Sequence, residues 1–190
     1  MYKYNFTEEE LSKCKSFAES IDTSFYATRN QFNPEKRKTD QIIGKLGEIL
    51  TYNYLLDKVQ NLTYPDFNIY EKSKKSWDFD LKGNDSNIHV KSQNIVQAKN
   101  YGQSWIFQAG NGKNKNYDKE IFDQISPNQY VSFCLIDLGN KCGEIKSILK
   151  LSTLHDNKLF KLPKLEKLQV ANKLAVYFSD IKVFENSYKG

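Results

Sequence analysis

At 190 residues the chain fits one domain with at most a small appendage, and it is long enough to bury a mixed core. Hydrophobic residues at 39% and charged residues at 27% exclude a disordered segment and a membrane protein alike. Lys plus Arg number 28 against 23 Asp plus Glu, and the resulting +5 is a modest excess that favours polyanionic partners without choosing one. The three cysteines lack CxxC spacing and have only two histidines for company, which argues against a disulfide framework or a zinc site and for a reducing, cytoplasmic setting. With no apolar signal core at the N-terminus and no run near the ~18 apolar residues of a span, the chain is expected to be neither exported nor inserted in a membrane.

Thr7-Glu8-Glu9-Glu10 reads as a capping box and predicts a helix to about Ser20. Asp22 to Lys38 is polar, holds the only arginines, Arg29 and Arg37, and reads as loop or short helix, so residues 1–38 form an N-terminal helical extension. Thr39 or Asp40 caps a second helix to about Asp57, in which Ile42, Ile43, Leu46, Ile49, Leu50, Leu55 and Leu56 recur at near-helical spacing. Gly44 and Gly47 lie inside it and form, with Glu48 and Thr51, a narrow ridge that another element should approach closely. Three strands follow: Tyr64 to Tyr70, Trp77 to Lys82 and Ile88 to Gln93, the last two joined by Gly83-Asn84-Asp85-Ser86. A helix near Tyr117 to Gln124 precedes a buried strand from Tyr130 to Ile136. This order predicts an α/β fold of one domain over 1–190, with a mixed central sheet of about four to six strands flanked by helices.

Strand alternation in Trp77-Asp78-Phe79-Asp80-Leu81 sends Trp77, Phe79 and Leu81 to one face and Asp78 and Asp80 to the other. In Ile88-His89-Val90-Lys91 the same period buries Ile88 and Val90 and exposes His89 and Lys91. A turn centred between Asn84 and Asp85 sets Asp80 opposite His89 and Asp78 opposite Lys91, so two carboxylates, an imidazole and an ammonium share a face. Hydrolysis of a phosphodiester gives such a grouping a purpose. It needs carboxylate oxygens for a hard divalent cation, and a cation near the attacking water and the scissile phosphate.

With Gly-Lys-Leu-Gly-Glu on a helix at 44–48, an acid in Trp77-Asp78-Phe79 and a hairpin into Ile88-His89-Val90-Lys91-Ser92, the chain resembles the PD-(D/E)xK nuclease superfamily. The resemblance implies a restriction-endonuclease-like fold with about 40–136 as the catalytic core and Mg2+ as cofactor. It makes Asp78 the main metal ligand, with Asp80 in competition for that role, and has Glu48 bind metal directly or through water. Lys91 would orient or activate the water and steady the phosphate. Tyr64-Pro65-Asp66-Phe67 offers a literal Pro-Asp, but 25 residues separate Asp66 from Lys91, enough to hold an additional strand. The departure is His89, which stands where the family usually has Asp or Glu. Imidazole suits softer divalent ions better than magnesium, which brings in Mn2+.

From Ser86 to Tyr117 there is no Asp or Glu, while Lys91, Lys99, Lys113 and Lys115 give a local charge of +4. The same stretch holds 10 of the 28 Asn and Gln, and its Gln93, Gln97, Asn100 and Gln103, with Lys99, Lys113 and Lys115, form a predicted DNA-facing segment. Trp77 and Trp105 are expected to pack in the core or its rim. The expected activity is that of a small type II restriction-type endonuclease cutting double-stranded DNA, a homodimer if its target is palindromic, with a cognate methyltransferase as a possible partner. A resolvase or repair nuclease of the same superfamily, and a DNA-binding module whose metal site has decayed at His89, are the alternatives.

Overall fold

The computed structural model describes residues 2–21, 33–69, 79–110 and 118–184. Tyr2–Asn5 forms strand β1, and helix α1 follows at Glu8–Ser20. The capping box is complete: the Glu10 amide donates to Thr7 Oγ1 at 3.2 Å and the Thr7 amide to Glu10 Oε2 at 2.9 Å. β1 pairs with a later strand, and Phe6, Leu11 and Cys14 join the core, so residues 2–21 contribute to the sheet and its cover.

Helix α2 runs over Pro34–Leu55 and starts earlier than the expected cap at Thr39 or Asp40. Asn33 accepts from the Lys36 amide at 2.9 Å, and Pro34 occupies the first turn, where its missing N–H costs nothing. Thr39 instead donates back to the Glu35 carbonyl at 2.9 Å, and Asp40 pairs with Lys36 one turn earlier.

The expected strand at Tyr64 to Tyr70 is absent from residues 64–69, which have no regular structure. Pro65 has no amide to offer a ladder, and Asp66 Oδ1 accepts from the Asn68 amide at 2.8 Å in a local turn. Tyr64 and Phe67, three apart, stack on one another with centroids 6.2 Å apart and pack against Tyr52 and Phe17 on the helices.

Strand β2 is short, Leu81–Gly83, and β3 spans Ser86–Asn94. Their register, Leu81 with Ile88 and Gly83 with Ser86, places the turn between Asn84 and Asp85 as expected. Helix α3 (Ile95–Tyr101), strand β4 (Ser104–Gln108) and helix α4 (Lys119–Phe122) lead to β5 (Gln129–Asp137), parallel to β3. A hairpin returns through β6 (Cys142–Lys150), and α5 (Leu151–Asp156), α6 (Glu166–Val170), β7 (Lys173–Tyr177) and α7 (Phe178–Ile181) complete the order.

The mixed five-stranded sheet has the order β1-β6-β5-β3-β2, and β4 and β7 form a separate antiparallel pair. The fold is therefore α/β with helices flanking a mixed sheet, as expected, although β6 carries the sheet beyond residue 136. Central β5 serves two cores, which explains an apolar run interrupted only by Ser132 between Tyr130 and Ile136. Cys134 and Ile136 share a core with Leu11 of α1 and with Ile43, Leu46, Ile49 and Leu50 of α2, while Val131, Phe133 and Leu135 meet Trp105, Phe107 and Val176 on the other face. Each large side chain so buried contributes about 1.5–3 kcal/mol. Trp105 is core, its indole donating to the Cys134 carbonyl at 2.9 Å beside a register shift in β5. Among the described residues no helix is long and apolar enough to cross a membrane.

Candidate active site

The seat of the site is Gly47. A Cβ there would strike Ser92 Oγ and lie 3.3 Å from Val90 Cγ1, so its absence lets α2 rest directly on β3. Thr51, one turn on, shares a hydrogen bond of 2.9 Å with Ser132 on β5. The predicted close approach is thus real at Gly47 and Thr51. At Gly44 it is not, since nothing lies within 4 Å of a Cβ built there.

Beside Gly47 this packing buries Glu48, which is 8% exposed. Desolvation pushes its carboxyl up from 4.5 to about 8, the Asp80 charge adds to the rise, and Lys45 opposes it. Lys45 Nζ lies 2.7 Å from Glu48 Oε2, and the two side chains are 14% and 10% exposed. The same ammonium sits over the Phe17 and Phe67 rings, at 5.1 and 5.5 Å from their centroids.

Asp80 stands where β2 gives out. Its Oδ2 accepts the Val90 amide at 2.7 Å, so a carboxylate occupies the place on β3 that a longer β2 would have filled with a carbonyl. Burial raises its proton affinity, while the Val90 amide, Lys91 and Lys45 work against that and Asp118 with it. The alternation expected through Phe79 fails for the same reason: Leu81 enters the α2-side core, but Phe79, outside the strand, packs its ring 4.8 Å from that of His89. His89, expected on a solvated face, is buried at 8% exposure with the Phe79 ring against it. Val90 in turn is only partly buried.

Lys91 alternates away from Val90 and Ser92, the residues beneath α2, and lies 4.9 Å above the Phe107 ring of β4. Its ammonium pairs with Asp118 Oδ2 at 3.3 Å. Glu48 and Lys91 therefore approach Asp80 from the two faces of β3. Asp78 lies outside the described residues. Among those described, no group of three or more His, Cys, Asp or Glu is placed to hold a metal ion by itself.

The proposed DNA-facing segment divides. Lys99 and Asn100 are exposed on α3 with Val96 and Tyr101, and Gln97 is half-buried. Gln93 is buried and its amide is spent on the α3–β4 turn, donating to the Gly102 carbonyl and accepting from the Ser104 amide, each at 3.0 Å. Gln103 is half-buried with its Oε1 enclosed. Asn94 caps α3 through the Val96 amide at 2.8 Å. Part of the amide richness thus serves turns and caps. Lys113 and Lys115 lie outside the described residues.

Two residues escaped the sequence reading. Lys45 carried a signal, a cation three positions before Glu48 on one helix face. Asp118 carried none, since 27 residues and a strand separate it from Lys91. Comparison with known protein families, curated proteins and solved structures finds no match.

Proposed function

We propose that the chain is a divalent-metal-dependent deoxyribonuclease of PD-(D/E)xK type that hydrolyses phosphodiester bonds in double-stranded DNA, most simply as a restriction-type homodimer. The observation that carries the reading is the meeting at Asp80, where the open end of the β2–β3 hairpin brings an enclosed carboxylate under the influence of Glu48, Lys45 and Lys91. The donor set fits a hard cation: Glu48 and Asp80 are oxygen donors whose proton affinity burial raises, and a divalent ion would compensate the desolvation of both. Glu48 and Asp80, with Asp78 from the sequence motif, would hold Mg2+ or Mn2+, which when bound supplies Lewis-acid polarisation of the phosphoryl oxygen. Lys91 stabilises the charge that develops on the phosphate as water attacks in line. Lys99 and Asn100, exposed just past the end of β3, suit backbone and base-edge contacts to the duplex.

Incubating supercoiled plasmid with purified protein in Mg2+ or Mn2+, and in EDTA, tests this. Cleavage should require the metal, and Lys91→Ala should slow it about 10²- to 10³-fold. Equal cleavage by Lys91→Ala rejects the assignment, and preference for branched over linear DNA moves the enzyme to the resolvase or repair class.

A second reading, a DNA-binding module without catalysis, is favoured by the Lys45–Glu48 pair, which already neutralises one metal ligand, and by His89 buried against Phe79. Its signature is salt-dependent duplex binding with neither metal-dependent cutting nor divalent-ion affinity.

A further inference from the structure

Lys91 is held from two sides by groups that the sequence motif does not contain. Its ammonium lies over the Phe107 ring and 3.3 Å from Asp118 Oδ2, with the lysine and aspartate side chains 24% and 21% exposed. The same Oδ2 accepts the Gln108 amide at 3.3 Å, and the Asp118 amide donates back to the Gln108 carbonyl at 2.9 Å. Asp118 is therefore anchored to the end of β4 through both its carboxylate and its own amide, before Lys91 is counted. An exposed lysine would sample many rotamers on four flexible bonds, whereas a half-buried ammonium between a fixed carboxylate and an aromatic face has one preferred place. Asp118 also acts on Asp80, so it belongs to the same electrostatic neighbourhood without being one of its donors.

We propose that Asp118 is a positioning residue for Lys91: an acid delivered from the far end of the β4–α4 connection that fixes the ammonium where β3 presents it to a phosphate. Its catalytic consequence rests on the phosphodiesterase reading above, but the restraint on Lys91 does not. Asp118→Asn is the informative variant, because the amide oxygen keeps the Gln108 bond while the charge that holds Lys91 is lost; Asp118→Glu keeps the charge.

Two readouts separate the claims. The 1H–15N ammonium resonance of Lys91, assigned by its loss in Lys91→Ala, should be sharp in the wild type, vanish into exchange broadening in Asp118→Asn and return at least in part in Asp118→Glu. On plasmid DNA with Mg2+ or Mn2+, Asp118→Asn should lower kcat about 10- to 100-fold with KM within about twofold, and Asp118→Glu should recover part of the loss. An unchanged Lys91 resonance in Asp118→Asn overturns the proposal, as does a lost resonance with wild-type kcat. If the wild type cuts no DNA under any condition, the nuclease reading fails by itself, and the resonance still decides whether Asp118 restrains Lys91.

Discussion

Lys45 and Glu48 lie one turn apart on α2, 2.7 Å between charged atoms and nearly closed to water, whereas Lys91 and Asp118 come from β3 and from the residue just before α4 and meet at 3.3 Å with about a fifth of each side chain exposed. Both pairs flank Asp80. The helical pair was built locally and then buried by packing, so desolvation outweighs the cation and Glu48 binds its proton up to about 8. The other pair was assembled by tertiary structure around an aromatic ring, where the ammonium stays partly accessible. The contrast teaches that the two faces of β3 prepare opposite things: a carboxyl under tension on the α2 side, and a presented ammonium on the β4 side.

The largest way to break that contrast is to exchange the lysines' fates. Lys91→Ala should cost about 10²- to 10³-fold in DNA cleavage, while Lys45→Met should leave Lys91 in place and push the Glu48 carboxyl further up; equal losses of cleavage would erase the distinction. Next comes pH. Glu48 is raised from 4.5 to about 8, so between those values the folded chain keeps a proton that the unfolded chain releases, and stability falls as pH rises through that window by up to about 1.4 kcal/mol per unit. Urea titrations of the metal-free protein from pH 5 to 9 should show this slope, and Glu48→Gln should remove it. A slope that survives in the variant would place the titration elsewhere.

Smaller effects sharpen the seat of the helical pair. Gly47→Ala should destabilise by about 1–3 kcal/mol, because Ser92 and Val90 of β3 must give way, while Gly44→Ala should stabilise by up to about 1 kcal/mol in the open space on the same helix. Thermal melts of the two variants moving in the same direction would contradict the packing of α2 on β3. Smallest is Lys99→Ala, which should flatten the salt dependence of duplex binding by about one phosphate contact, while Gln93→Ala should loosen the α3–β4 turn and leave that slope alone.

The α/β order, the first capping box, the β2–β3 register and the burial of β5 were legible because each rests on local spacing. Tyr64 to Tyr70 misled because aromatic content mimics a strand when Pro65 and the Asp66 turn already forbid one. His89 misled because alternation assigns a residue to a face without saying what covers it, and Phe79, expected on the opposite face, packs against it. Of the site, Glu48, Asp80 and Lys91 were readable as chemistry in a short motif. Their burial was not, nor was Asp118, whose place beside Lys91 exists only once β4 is folded.

Asp80 lies within electrostatic reach of both pairs, and the most direct measurement is the rate at which Asp80→Asn cleaves supercoiled plasmid in Mn2+, set beside the wild type. The wild type should cut in Mn2+ and not in EDTA, and Asp80→Asn, which keeps an oxygen for the Val90 amide but loses the charge, should be slower by at least about 10²-fold. Metal-dependent cleavage at the wild-type rate by Asp80→Asn would contradict the central role of this carboxylate, and no cleavage by the wild type would contradict the nuclease itself.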